Sequence, residues 1–163
     1  MPSKSTSSIR SSKISTVTVA IDARENGEIS GRFCNRFDCK VYTFHSVLEL
    51  LSSLDSLFDH YGYPEATHQY RQFSSKKQVA KVVPPEEGES AMGEEIVMEG
   101  GGKATFIVHV QFRQNVNWQG SIQWVESKKE QKFRSTLELI KLMDEALDTV
   151  SGDDNIKWED PRE

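Results

Sequence analysis

The sequence predicts an α+β fold: two repeated β-β-β-α modules related by a pseudo-twofold, with antiparallel sheets carrying one helix each. Three observations predict it. "FHSVLELLSSLDSLFD" (44–59) and "FRSTLELIKLMDEALD" (133–148) are nearly the same phrase. The match extends upstream without a gap at an offset of 89 residues, with thirteen identities in the 44 aligned positions from Thr16 to Asp59. Each copy reads as alternating strand patterns followed by one amphipathic helix.

The first strand of each copy is "TVTVAIDAR" or "TFIVHVQFR". Val17, Val19, Ile21 and Ala23 fall on one face, and so do Phe106, Val108, Val110 and Phe112, in the period-two alternation of a half-buried strand. Asn26-Gly27 follows, a dipeptide suited to the two positive φ angles of a type I′ hairpin. The second copy has "QNVN" there and needs a different turn. In the second strands, Ile29, Gly31 and Phe33 alternate with Ser30, Arg32 and Cys34, and Trp118, Gly120 and Ile122 with Gln119, Ser121 and Gln123. Gly31 and Gly120 are expected to face a helix that packs closely on the sheet. The third strands are short, "KVYTF" and "EQKF".

Ser46-x-x-Glu49 and Ser135-x-x-Glu138 fit the capping box, so these four residues are read as helix caps rather than catalytic groups. Gly62 and Gly152 stand where the helices should end. The apolar stripe Val47, Leu48, Leu50, Leu51, Leu54, Leu57 and Phe58 is wide for a single small sheet. Each helix is therefore expected to touch its own sheet and the other copy. A module of this size alone buries little surface, which favours pairing within the chain.

The expected organisation is a disordered tail (1–15), module one (16–62), a partly flexible linker (63–103), module two (104–150) and an acidic tail (151–163). The linker stretch "PPEEGESAMGEEIVMEGGGK" has the Pro, Gly and Glu content of a flexible segment.

The 163 residues carry 36% hydrophobic and 28% charged side chains and a net charge of −5. That balance lowers the expectation of a dedicated duplex binder, whose affinity rests on phosphate neutralisation. No apolar run approaches the roughly 20 residues that span a bilayer. Two cysteines, Cys34 and Cys39, are too few for a disulfide framework and agree with a cytoplasmic setting. Their spacing before His45 and His60 is off the usual zinc pattern, and the second copy has Gln123 and Lys128 in their place, so no metal is expected. The sequence contains no phosphate loop, dinucleotide fingerprint, nucleophile elbow or H-E-x-x-H. It is read as a non-enzymatic protein without cofactor.

The candidate surface is the polar face of the sheets. Arg24, Arg32 and Arg36 lie there in copy one; His109, Arg113, Gln119 and Gln123 lie there in copy two. Lys128, Lys129 and Arg134 add charge around the last hairpin, together with Lys132. This surface is expected to bind a protein. Nucleic acid is the alternative, because a three-stranded sheet bearing Arg, Gln and Thr suits a groove.

The stretch "FRQNVNWQGSIQWVESKKEQKFRSTLELIKLMDEAL" resembles a group of short bacterial proteins without an assigned activity, through W-x-G followed by F-R-S-x-L-E-L-I-x-L-M-D. Each of those proteins resembles one module. The resemblance implies a fused pair of units that otherwise pair between chains, and no site residues. More loosely, β-β-β-α is similar to the small DNA-binding domains of some integrases and plant transcription factors, an analogy of fold alone.

Overall fold

The computed structural model describes residues 3–66, 71, 73, 99–114 and 117–151, with side chains described from residue 9 to residue 150. The element order is α1 (Ser3–Ser15), β1 (Thr16–Glu25), β2 (Glu28–Asn35), β3 (Val41–Phe44), α2 (Val47–Tyr61), β4 (Ala104–Phe112), β5 (Gln119–Trp124), β6 (Lys129–Phe133) and α3 (Thr136–Ser151). The fold is α+β. Its six strands form one antiparallel sheet in the order β3-β2-β1-β4-β5-β6. The expectation of separate sheets is corrected here. β1 pairs with β4, from Thr16 opposite His109 to Ile21 opposite Ala104, and joins both halves in one ladder.

One face of this sheet carries the core. Directly opposed residues share a face, so Val19, Phe33 and Phe106 lie together, and Phe44 and Phe133 stand on the same face opposite Gly31 and Gly120. Leu50, Leu54, Leu57 and Phe58 of α2 and Leu139, Met143, Ala146 and Leu147 of α3 close over them in a single buried cluster. The expected wide stripe is only partly used. Leu48 and Leu137, at equivalent places in the first turns, are 74% and 61% exposed. The halves meet through the sheet and through side chains that cross from strand to helix, not through a broad contact between α2 and α3.

Local chemistry sets the element ends. Asn26 and Gly27 adopt φ 53° and 80°, as a type I′ turn requires. The Ser46 hydroxyl accepts from the Glu49 amide at 3.1 Å, and Glu49 accepts in return from the His45 amide at 3.2 Å, one residue before the cap. Ser135 accepts from the Glu138 amide at 3.1 Å. Gly62 ends α2 at φ 70°, and its amide donates to Asp59. Gly152 and the acidic tail lie outside the described residues.

Helix α1 replaces part of the expected disordered tail. Serine-rich sequence is a poor helix former, and specific tethers hold this one against β1, β2, β4 and α2. The Asn35 side-chain amide donates to the Ile14 carbonyl at 2.6 Å, and the Thr16 hydroxyl donates to Ser12 at 2.7 Å. Ile14 is 2% exposed. The Arg10 guanidinium stands over the Phe37 ring at 5.2 Å.

The paired glycines sit on the core face, but their reason differs from the expected one. A Cβ on Gly31 would lie 1.9 Å from the Ala20 carbonyl oxygen, and one on Gly120 would lie 1.9 Å from that of His109. The neighbouring strand's backbone excludes the side chain, not a helix. Each contact lies beside a register shift, between Ile21 and Ala23 in β1 and between Val110 and Phe112 in β4. Gly31→Ala and Gly120→Ala should each cost about 3–5 kcal/mol, because strand backbone must move. Urea unfolding of the full chain checks this, and Gly101→Ala, crowded at 2.4 Å by the Ala104 carbonyl, should also destabilise.

Candidate functional site

The two register shifts decide which side the candidate arginines occupy. Before the shift, odd-numbered residues of β1 face the helices. Asp22 is the extra residue, and beyond it the phase inverts: Arg24 lies opposite Ile29, a core residue. Gln111 plays the same part in β4, so Arg113 also turns to the helix side. The expectations that Arg24 and Arg113 face outward and that Ala23 and Phe112 share the core face are therefore overturned: Ala23 lies opposite Ser30, and Phe112 lies opposite Gln119 and is exposed. A β-bulge re-aims every side chain that follows it.

Both arginines cross to the helix of the other half. Arg24 donates to Asp144 at 2.6 Å and to Asp148. Arg113 donates to Asp55 at 2.8 Å and is paired with Asp59 at 3.0 Å. In each case one guanidinium spans two carboxylates one helical turn apart. The settings are unequal. The Arg113 side chain is 3% exposed, stands over the Phe58 ring at 5.4 Å, and donates through Nε to the Pro64 carbonyl at 2.7 Å. The Arg24 side chain is 22% exposed. Burial pushes the Asp55 carboxyl above its usual value, against the pull of Arg113.

The opposite sheet face carries no described helix. Thr18, Ser30, Arg32, His109, Ser121 and Gln123 share it. Arg32 is committed to Asp22 by two bonds of 3.0 and 3.1 Å, and also reaches the Glu99 carbonyl at 3.4 Å. The Arg32 guanidinium holds the Asp22 carboxyl below its ordinary value. The end of the expected linker is pinned here: Gly102 donates to Asp22 at 3.2 Å and Lys103 to the Ile21 carbonyl at 2.9 Å. Its start is pinned at Pro64 and by an Ala66–Arg113 bridge; its middle lies outside the described residues.

His109 is half-buried between Thr16 and Ser121, and burial lowers its pKa. Gln119 and Gln123 are exposed. Arg36 is exposed in the β2–β3 loop, Lys128 (φ 54°) and Lys129 sit at the β5–β6 hairpin, and Arg134 lies 3.7 Å from Glu138. These residues are spread around both ends of the sheet and are not gathered at one place. Cys34 is a buried free thiol pushed up to about 11 by burial, and Cys39 is a second free thiol. Among the described residues no three His, Cys, Asp or Glu side chains gather as a metal site. No helix among them is long and apolar enough to cross a membrane.

The aspartates were the residues that sequence reading missed as partners of the arginines. The sequence does carry a signal for them: at the offset of 89, Arg24, Asp55 and Asp59 align with Arg113, Asp144 and Asp148. Comparison with protein-family models, with curated proteins and with solved structures found no match.

Arg113→Ala leaves Asp55 and Asp59 without their buried cation and should cost about 3–5 kcal/mol. Arg24→Ala, at the wetter site, should cost about 1–3 kcal/mol. Double-mutant cycles with Asp55→Asn and Asp144→Asn, read by urea unfolding, check both. His109 has a folded pKa below its unfolded value of about 6.5. Its neutral form is favoured on folding, so stability present above that value is lost as pH falls through it. The urea midpoint should decline from pH 7 to about 5, and His109→Gln should flatten that slope.

Proposed function

We propose that the chain is a tandem pair of one βββα unit, and that it works as a non-enzymatic binding protein whose sheet face away from the described helices docks another protein. The offset of 89 supports the first part. It relates the two register shifts, the two crowded glycines, the two serine caps and both arginine–aspartate sets. The second part rests on one observation. The sheet face away from the described helices spans all six strands and carries mainly hydroxyl, amide and imidazole groups at its middle, with Ile107 among them and Glu130 and Lys132 on the β6 edge, and its central arginine, Arg32, is neutralised by Asp22.

The same observation speaks against nucleic acid as the target. Phosphate binding draws on available cations, and Arg24, Arg32 and Arg113 are occupied by carboxylates. The non-enzymatic reading draws support from the same pairs, because Asp22, Asp55, Asp144 and Asp148 are committed to those guanidinium groups. Two free thiols favour a reducing compartment, and we place the chain in the cytoplasm.

A photo-crosslinking residue at Gln123, on the docking face, should capture a discrete protein partner, while the same residue at Lys141 on α3 should not. Anisotropy titrations with DNA and RNA should show no salt-dependent binding. A log K against log salt slope of several units, reduced by Arg36→Ala or Lys132→Ala, would replace the protein reading with the nucleic-acid one.

A further inference from the structure

The two ion-pair sets have a property that neither has alone. Each half carries one arginine at the end of its central strand and two aspartates on its helix. Each half therefore presents the same charge pattern at the seam, and that pattern complements itself. The β1–β4 ladder has matching symmetry: Thr18 lies directly opposite Ile107, the residue 89 positions on. A second first half placed against β1 would set Thr18 opposite its own copy. It would also bring Arg24 to the partner chain's aspartates.

We propose that this seam is a self-complementary interface that also accepts a second copy of the chain, like half to like half. The occupant is argued from charge: Arg24 fits Asp55 and Asp59 of a second chain as it fits Asp144 and Asp148 of its own, and Arg113 fits a second chain's Asp144 and Asp148. The inference rests on the tandem reading above and is independent of what the outer face binds.

Two features hold the native chain to its own other half. The connection raises the local concentration of that half to the order of millimolar. Phe58 also packs edge-on against Trp118 across the seam, with ring centroids 5.8 Å apart. The equivalent contact positions are Leu147 and Ile29, so like halves would pair Phe58 with Ile29 and Leu147 with Trp118, a less matched division of volume.

Charge inversion of one half separates the alternatives. With Arg24→Asp, Asp55→Arg and Asp59→Arg together, like charges meet at both ends of the seam within a chain. Like halves of two chains still present opposite charges. This full-length variant should have the mass of a dimer by light scattering, with native-like circular dichroism. Adding Arg113→Asp, Asp144→Arg and Asp148→Arg restores opposite charges within the chain and should return a monomer. The structural reporter is Thr18→Cys on a Cys34→Ala/Cys39→Ala background. Directly opposed strand residues have Cα separations that fit a disulfide. Diamide should link the half-inverted chain at position 18 about tenfold more than the native-charge or fully inverted chain, because only the tethered arrangement disfavours it.

A half-inverted chain that is monomeric and unlinked, beside a folded fully inverted monomer, overturns the proposal. A fully inverted chain that fails to fold instead counts against the tandem reading of the seam. In that case the native-charge reporter chain, refolded from urea at rising concentration, decides the proposal. Linked dimer that grows with concentration supports it, and none at any concentration overturns it.

Discussion

A guanidinium at the end of each central strand reaches two aspartates on the helix of the other half, and much of the fold is arranged so that it can. Asp59 and Asp148 lie near the C-terminal ends of α2 and α3, where the helix macrodipole disfavours anions, and Asp55 and Asp144 stand one turn before them. The last turn of α3 has no basic residue of its own. Without Arg113 and Arg24 these ends would disfavour the carboxylates of Asp59 and Asp148, and the neighbouring Asp55 and Asp144 would add like charge. With them, each helix is fixed to a strand it does not follow in sequence, and the two halves are held across the sheet as well as along it.

That reach depends on one extra residue per central strand. Without the register shifts at Asp22 and Gln111, strand alternation would send both arginines to the opposite face. The shifts in turn press the backbone of Ala20 and His109 into the space a side chain would fill on the next strand, and glycine is the residue that leaves that space empty. Bulge, glycine, arginine and aspartate pair thus form one chain of dependence in each half. The halves diverge around it. Asn35 is fully buried and ties α1 to the sheet through the Ile14 carbonyl. Trp124 stands in its place in the second half, with a buried indole nitrogen that has no partner among the described residues.

This explains what was legible in the sequence. Strand alternation, the Asn-Gly turn, both serine caps and the Gly62 stop are local signals, and each appears where its local chemistry put it. The union of the two halves into one sheet was not legible, because no local signal says which strand edge meets which. The placement of Arg24 and Arg113 failed for a definite reason. Alternation was continued through a position where the strand inserts a residue, and the only trace of that insertion was the glycine across the ladder. Helix α1 failed for the opposite reason: its serines give no periodicity, and its anchors, Asn35 and Phe37, lie more than twenty residues further on.

The commitment of the arginines also changes what the sheet can do. Read from sequence, four arginines and a histidine on a β surface suggest an electrostatic target. Folded, two arginines serve the seam and a third is closed by Asp22. Glu130 and Lys132 stand on the β6 edge of the face, and Thr18, Ser30, Ser121 and Gln123 are left across its middle, beside Ile107. Such groups contribute through directed hydrogen bonds and close fit rather than long-range attraction. Recognition there requires a surface of matching shape, so specificity would come from contact rather than from charge. The cations that remain exposed, Arg36 and Lys128 among them, lie at the margins of the sheet, where charge steers an approaching partner more than it holds one. This is the physical ground for proposing a protein target rather than a phosphate backbone, whose affinity draws on available cations at the centre of the contact.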